Sequence, residues 1–390
     1  MNLKSRFTLR KAALGIGAVV LSPIIAVTLT EIAPRVSELT TGAIRLMNIS
    51  EQSKIQALNN GNCILYQPSP RGTVTSVIED VTPPAETTAA AEAAEETAPP
   101  QTTAPILISQ NISGETEDLS VFSNISGSIV KTTYKPNGGT DFLNLESGGQ
   151  VRNCTDLSNE AVQAEMGKSP DFKIVLDGTP QVLIMHTHTS ESYEITDKEY
   201  YDEDYTCRSA DPENSVVAVG TAIAEQLANA GIAVIHDGTV HDGTYTGAYV
   251  RSEQTVKNIL EKYPSIKVVL DVHRDAIEEF DGSHVAAVTE IDGREAAQIM
   301  IISAADDGTY GIPNYLENFH FACALQDKIE SDWNGITRPI LFQYCQYNQH
   351  LTTGSLLIEV GSHGNTVEQA VYTGELIGKS IAEELLELAE

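Results

Sequence analysis

Short apolar runs alternate with longer amphipathic segments from Gln181 to the end of the chain. Runs of about four to eight apolar residues predict buried strands, and apolar residues recurring every three or four positions predict helices. The predicted elements are strand Val182–Met185, helix Asn214–Ala230, strand Ile232–His236, helix Ser252–Lys262, strands Ile266–Val272, Val285–Ile291 and Gln298–Ser303, helix Pro313–Asp332, strand Ser355–Val360 and helix Thr366–Glu390. This alternation is typical of an α/β domain with a mostly parallel central sheet flanked by helices.

The pattern changes upstream of this domain, which we assign to residues 181–390. Residues 118–180 contain short strand-like runs and are predicted to be a lead-in segment that packs on the domain. Residues 71–117 are rich in Pro, Ala, Thr and Glu and have almost no large apolar side chains. Such a composition cannot bury enough surface to offset ordering entropy, so we predict a disordered, extended linker there.

An uncharged run, Ala12–Thr30, follows four basic residues near the N-terminus. It is long enough to cross a bilayer as a helix. Because the positive charge precedes it, we predict a single-pass anchor in the cell membrane, with a cytoplasmic N-terminus and an extracytoplasmic remainder. The anchor and its stub occupy residues 1–35, and residues 36–70 form a short membrane-proximal segment. The alternative interpretation is a cleaved signal peptide.

The net charge narrows the choice of partners. The chain has 24 Lys and Arg against 54 Asp and Glu, which gives a formal charge of -30. Such a surface repels phosphate backbones, so nucleic acid is excluded as a partner.

Polar side chains stand at the carboxyl ends of three predicted strands. His186, His188 and Glu191 follow the first strand, His273 and Arg274 follow the second, and Glu359 lies within the third. In parallel sheets these ends meet at one edge. Imidazole and carboxylate groups suit Zn²⁺, and a catalytic zinc site uses three protein ligands. We therefore predict a zinc site with His186, Glu191 and His273 as ligands and His188 as a further ligand or a supporting group.

Glu359 and Arg274 are the predicted catalytic residues. A carboxylate inside an apolar strand is costly to bury, but a raised pKa would let it move a proton between water and a leaving amine. Arg274 can steady a carbonyl oxyanion or hold a substrate carboxylate, or else pair with Glu359 as a buried ion pair. The polar loop that contains Asn348, Gln349 and His350 is predicted to line the substrate pocket.

Two other hydrolase classes fit poorly. A metal-dependent amidohydrolase barrel needs eight strand–helix units, and too few strands follow Gln181. A serine hydrolase is disfavoured because the chain has no GxSxG motif.

Four stretches resemble the stage II sporulation protein P family of endospore-forming bacteria. They are "VLIMHTHTSESY", "NSVVAVGTAIAEQLANAGIAVIHD", "VVLDVHRDA" and "YNQHLTTGSLLIEVGSHGNTVEQA". The resemblance implies an amidase-like fold and a zinc-dependent peptidoglycan hydrolase. Its implied reaction is cleavage of the amide between N-acetylmuramic acid and the stem peptide, with cross-link peptides as a further substrate.

The same resemblance implies that the protein is located at the septal membranes during engulfment. It also implies the stage II sporulation proteins D and M as partners. It also leaves the carboxylate ligand open between Glu191 and Glu213, because related amidases carry this ligand at the start of the helix after the first strand. The alternative functions are a non-catalytic wall-binding scaffold and a zinc carboxypeptidase acting on stem peptides.

Overall fold

A computed structural model describes residues 107–390. The predicted anchor, the membrane-proximal segment and residues 71–106 of the predicted linker lie outside the described residues. Within the described range, no helix combines the length and the apolar character needed to cross a bilayer.

The described residues form thirteen strands and five α-helices. The strands are β1 (Leu107–Gln110), β2 (Gly127–Thr132), β3 (Phe142–Asn144), β4 (Gln150–Cys154), β5 (Val182–Met185), β6 (Tyr200–Tyr201), β7 (Val234–Asp237), β8 (Val268–Asp275), β9 (His284–Ile291), β10 (Arg294–Ala297), β11 (Ile299–Ala305), β12 (Ile340–Tyr344) and β13 (Gly354–Ser362). The helices are α1 (Asn159–Met166), α2 (Val216–Asn229), α3 (Ala248–Lys262), α4 (Tyr315–Asp332) and α5 (Val367–Glu387). Two 3₁₀ helices span Leu119–Val121 and Pro212–Asn214.

Nine strands form one large sheet in the order β1-β7-β5-β8-β13-β11-β12-β4-β3. Every neighbouring pair is parallel except β13 with β11 and β4 with β3. The predicted α/β class is therefore confirmed, and the sheet is mixed although largely parallel. A second sheet has four strands in the order β10-β9-β2-β6.

Both edges of the large sheet come from segments upstream of residue 181. Strands β3 and β4, from the predicted lead-in segment, form one edge, so this segment is part of the sheet as well as packed beside it. Strand β1 forms the other edge through parallel pairing with β7. The predicted linker therefore ends before Leu107, because the short apolar run from Leu107 completes the sheet.

Hydrophobic side chains pack on both faces of the large sheet. On one face, alternate strand residues such as Val182 and Ile184 join side chains from α1, α2, α4 and α5 in the main core. On the other face, Leu183 and Met185 join Val256 and Ile259 of α3. Successive side chains along a strand point to opposite faces of the sheet. The packing of these residues therefore also fixes which face each neighbouring strand residue occupies.

Gly361 lies within β13, two residues after Glu359, where the pairing of β13 with β8 is irregular between Glu359 and Ser362. Its φ of 62° lies in the left-handed region, and an added Cβ would lie 2.8 Å from Oδ1 of Asn365 and 2.9 Å from Cβ of Ala297. This irregular end of β13 therefore requires glycine, because any larger residue there meets both backbone strain and close packing.

We expect Gly361→Ala to lower the free energy of unfolding of the full chain by about 2–4 kcal/mol. The matched control is Gly243→Ala, because nothing lies within 4 Å of a Cβ built there. Urea denaturation of both variants, followed by circular dichroism, measures the difference. Equal stabilities of the two variants would show that the turn tolerates a side chain.

Candidate active site

The three polar strand ends meet as the sequence predicts. Strand β8 lies between β5 and β13 and is parallel to both. In this register Met185 pairs with Asp271, and Glu359 pairs with His273. Glu359 and His273 therefore stand side by side on the same face of the sheet.

His186 points toward the opposite face, beside α2. Its Nδ1 lies 2.8 Å from the carbonyl oxygen of Val272 and its Nε2 lies 2.9 Å from Nε2 of His236. Because a carbonyl only accepts, Nδ1 of His186 carries the proton, and its Nε2 accepts from His236. Gly220 of α2 makes room for the two rings, since a Cβ there would lie 2.6–2.7 Å from their atoms. Both ring nitrogens of His186 thus form hydrogen bonds within the protein.

His273 lies between two carboxylates. Its Nδ1 is 3.4 Å from Oε2 of Glu191, and its Nε2 is 2.8 Å from Oδ1 of Asp271. Burial alone would lower the pKa of His273, but the Asp271 and Glu191 carboxylates raise it well above its usual range. The Oδ atoms of Asp271 also accept from the backbone N and the hydroxyl of Thr187 at 2.8 and 2.7 Å. Asp271 is thus held between the Thr187 backbone and hydroxyl on one side and His273 on the other.

His188 is on the same side as this pair. Its ring is stacked on Tyr245, with centroids 4.5 Å apart, and meets the ring of His273 edge-on at 5.4 Å. Its buried Nδ1 has no hydrogen-bond partner among the described residues. Burial lowers the pKa of His188 to about 4, so the imidazole is neutral and keeps a lone pair available.

A tight turn brings Glu191 under His188. The backbone N of Glu191 donates to the carbonyl of His188 at 2.9 Å, and its Oε2 accepts from the backbone N of Arg274 at 3.2 Å. Glu213, the other candidate ligand, lies in the 3₁₀ helix Pro212–Asn214, where its side chain is exposed. The structure therefore brings Glu191, not Glu213, to His273.

Glu359 is buried next to this cluster. Burial raises its pKa to about 8, and the nearby Asp275 carboxylate adds to the shift. Its Oε2 has no hydrogen-bond partner in the described part of the chain. Asp275 is itself held by Arg338, with Nη1 2.8 Å from Oδ2. The Arg338 guanidinium thus pairs with Asp275, and within residues 107–390 no cation forms a direct ion pair with Glu359.

Arg274 is used differently from either predicted role. Its Nε donates to the carbonyl of Ser192 at 2.9 Å, and its Nη2 donates to the carbonyl of Cys207 at 2.8 Å. The buried guanidinium therefore ties the segment after Glu191 to β8. In the described residues Arg274 forms no direct ion pair with Glu359, and the hydrogen bonds of its side chain are to backbone carbonyls.

The predicted pocket loop lies near the site with mixed roles. Asn348 donates to the carbonyl of Tyr249 and to Oγ of Ser252, both at 3.0 Å. Gln349 is buried and bonds the backbone of β11, accepting at 2.9 Å and donating at 2.9 Å. His350 lies 3.1 Å from Glu253. These residues hold the loop, and no contact of Gln349 reaches the cluster.

Several functional neighbours were absent from the sequence prediction. Asp271 has a visible signal, because it precedes His273 by two residues and so shares its face of the strand. Tyr245 and Tyr249 have no such signal. Tyr249 lies in the first turn of α3, with its ring centroid 6.4 Å from that of His273, because α3 packs on this face of the sheet only in the folded chain.

A cavity of ≈ 460 Å³ adjoins the cluster. Its lining includes Ser190, Arg208, Asp242 and Tyr245. The Arg208 side chain contacts both the cavity lining and the cluster. Its Nη1 lies 2.7 Å from Oδ2 of Asp242, and its Nη2 lies 3.6 Å from Oε1 of Glu191. A ligand in this cavity would therefore lie one side chain away from His188 and Glu191.

The fold and site define an α/β protein with a buried histidine–carboxylate cluster at the carboxyl ends of its central strands. A sequence profile for stage II sporulation protein P matches residues 143–382, more than half of the chain. The chain therefore belongs to the stage II sporulation protein P family, as its motifs indicate.

Individual relatives are more distant. Stage II sporulation protein P of Bacillus subtilis (strain 168) is 23% identical over 253 residues, which are 59% of this chain and 60% of that protein. The match thus spans less than two thirds of the relative. An N-acetylmuramoyl-L-alanine amidase from Clostridium difficile 630 is 17% identical, covering 54% of this chain and 96% of that one, with a TM-score of 0.31.

A second similar structure is the CwlD amidase from Clostridioides difficile, solved in complex with the GerS lipoprotein. It is 13% identical, and the match covers 53% of this chain and 98% of that one with a TM-score of 0.34. Both TM-scores are too low to define the fold, which is described here from its own strands and helices.

Proposed function

We infer that this chain is a zinc-dependent peptidoglycan hydrolase that cleaves the amide between N-acetylmuramic acid and the stem peptide. Membership of the sporulation family supports the cell-wall substrate. The observation that carries the inference is the placement of Glu359 beside His273, Glu191 and His188 at one buried sheet edge. Few structural roles require a buried glutamate next to two imidazoles and a second carboxylate.

The residues present fit a zinc ion. His188 offers a buried Nδ1 with no partner in the described range, and His273 Nδ1 lies 3.4 Å from Oε2 of Glu191. Two imidazoles that share a tetrahedral zinc have centroids about 5 Å apart, given Zn–N bonds of about 2.1 Å. The 5.4 Å between the rings of His188 and His273 agrees with this spacing.

We assign His188, Glu191 and His273 as the ligands, with Asp271 orienting His273 from its far side. His186 is not in this set, because its Nε2 lone pair accepts from His236. A zinc ion bound here would supply Lewis-acid polarisation of the scissile carbonyl and of water.

Glu359 performs the proton transfers in this assignment. It takes a proton from the attacking water as the water oxygen bonds to the carbonyl carbon, and it delivers that proton to the amide nitrogen as the C–N bond breaks. Only the ionised carboxylate can begin this sequence. Burial raises the pKa of Glu359 to about 8, so the ionised carboxylate is a stronger base toward water than an exposed glutamate, and its acid form can still protonate a more basic leaving amine.

We also propose a cellular setting, supported by the basic and apolar N-terminal sequence and by the family. We place the enzyme on the outer side of the cell membrane, held by the segment Ala12–Thr30 and acting with stage II sporulation proteins D and M. The acidic linker in residues 71–106 would then separate the hydrolase from the bilayer.

Digestion of purified sacculi by the full chain tests the function. We expect free stem peptides and peptide-free muramic acid ends by mass spectrometry, and we expect a chelator to abolish both while added zinc restores them. Release of single amino acids would instead show a carboxypeptidase. Binding to sacculi without any cleavage would show a scaffold.

A further inference from the structure

A second histidine–carboxylate cluster lies outside the residues assigned to hydrolysis. Glu278, His284 and His363 each place one ligand atom within 4.8 Å of the other two. The rings of His284 and His363 meet edge-on with centroids 3.9 Å apart. Both imidazoles have a buried Nδ1 that has no hydrogen-bond partner among residues 107–390.

Rigid backbone holds His363. It lies in the turn after β13, where its backbone N donates to the carbonyl of Asp275 at 3.1 Å. Asn365 fixes the turn from the other side, because its Oδ1 accepts from the backbone N of Ser362 at 2.9 Å and of Ala287 at 3.0 Å. The His363 side chain is 6% exposed, so its unpartnered nitrogen is shielded from water.

The other two members come from the second sheet and the loop that leads into it. His284 begins β9, and Glu278 forms an antiparallel bridge with it. Tyr201 of β6 stacks on the other face of His284 with centroids 3.6 Å apart. Glu278 is exposed, so its carboxylate can move toward the two rings without disturbing the core.

We propose that Glu278, His284 and His363 bind a second divalent transition-metal ion, with zinc as the best match. Two imidazoles and one carboxylate form a ligand set of the kind zinc uses, and a water molecule would complete four-coordination. The ring centroids, now 3.9 Å apart, would separate to about 5 Å as the ion binds. The ion would link the second sheet to the turn that follows Glu359. Its role is structural: it fixes the end of the strand that carries the catalytic carboxylate.

Metal stoichiometry of the full chain, purified without a histidine tag, tests this site. We expect two zinc ions per chain in the wild type, measured by elemental analysis after equilibrium dialysis. Glu278→Gln should weaken one of the two by at least tenfold, and His363→Ala should remove it. The matched control is Glu279→Gln, which changes the neighbouring exposed carboxylate and should leave both ions in place.

The exposed position of Glu278 keeps the test decisive even if His363→Ala does not fold. Unchanged binding of every ion in Glu278→Gln would overturn the proposal. The two sites are distinguishable, because His188→Ala should lose the hydrolytic ion and keep the second. In that background zinc should still raise the Tm, and this rise should vanish when Glu278→Gln is added. A variant that loses only the second ion should release the same amide-cleavage products as the wild type.

Discussion

Glu359→Gln should abolish amide cleavage and leave zinc binding intact. Glutamine keeps the size of the side chain but cannot accept and deliver a proton, so the rate should fall by about 10²–10⁴-fold. Glu359 is outside the ligand set, and so the zinc content of the variant should equal that of the wild type. The measurement is the initial rate of stem-peptide release from sacculi, paired with elemental analysis.

Glu290→Gln is the matched control for this substitution, because Glu290 is an exposed glutamate within β9. It should retain the wild-type rate. Wild-type activity in Glu359→Gln would remove Glu359 from the mechanism. Loss of zinc together with activity would show instead that Glu359 is a ligand.

Replacement of His188 should remove zinc from the site, whereas replacement of His186 should leave it bound. His188→Ala removes a proposed ligand, so zinc affinity at this site should fall by more than the ~10–100-fold that loss of a supporting contact costs. Hydrolysis should be lost with it. His186→Ala should keep the zinc and cost about 1–3 kcal/mol of stability, because it leaves His236 buried and unpaired.

The pair of variants serves as its own control, since both remove a buried imidazole within one short segment. Zinc titration and urea denaturation of each full-length variant give the two quantities needed. If His186→Ala lost the zinc and His188→Ala kept it, the ligand assignment would be reversed.

The difference between these histidines marks the limit of what the sequence predicts. The motif predicts that imidazoles meet His273 at a strand end, and this convergence is found. It does not predict which one, because β5 ends at Met185 and the two histidines follow on backbone outside the strand. Only the packing of Val182 and Ile184 against the main core shows that His186 faces α2.

Fold prediction succeeded where apolar runs were continuous and failed where pairing decided the structure. Val182–Met185 was predicted with its observed bounds, and α2 was predicted within two residues. The helix begins at Val216, one residue after Ser215, whose hydroxyl caps it, rather than at Asn214. Strand β12 and the antiparallel pairing of β11 with β13 depend on distant partners and left no local signal.

Arg274 illustrates a further limit. A charged residue beside a predicted ligand suggests a catalytic role, and nothing in the local sequence separates this from a structural one. The carbonyls that accept its hydrogen bonds belong to Ser192 and Cys207, which are more than sixty residues upstream, as separations of 82 and 67 show. Such contacts follow from the folded path of the chain.

Anomalous diffraction at the zinc absorption edge, from crystals of the full chain grown with zinc, tests the central claim most directly. We predict a peak about 2.0–2.2 Å from ligand atoms of His188, Glu191 and His273. No peak at that position, or a peak bound by His186 and His236 instead, would contradict the assignment.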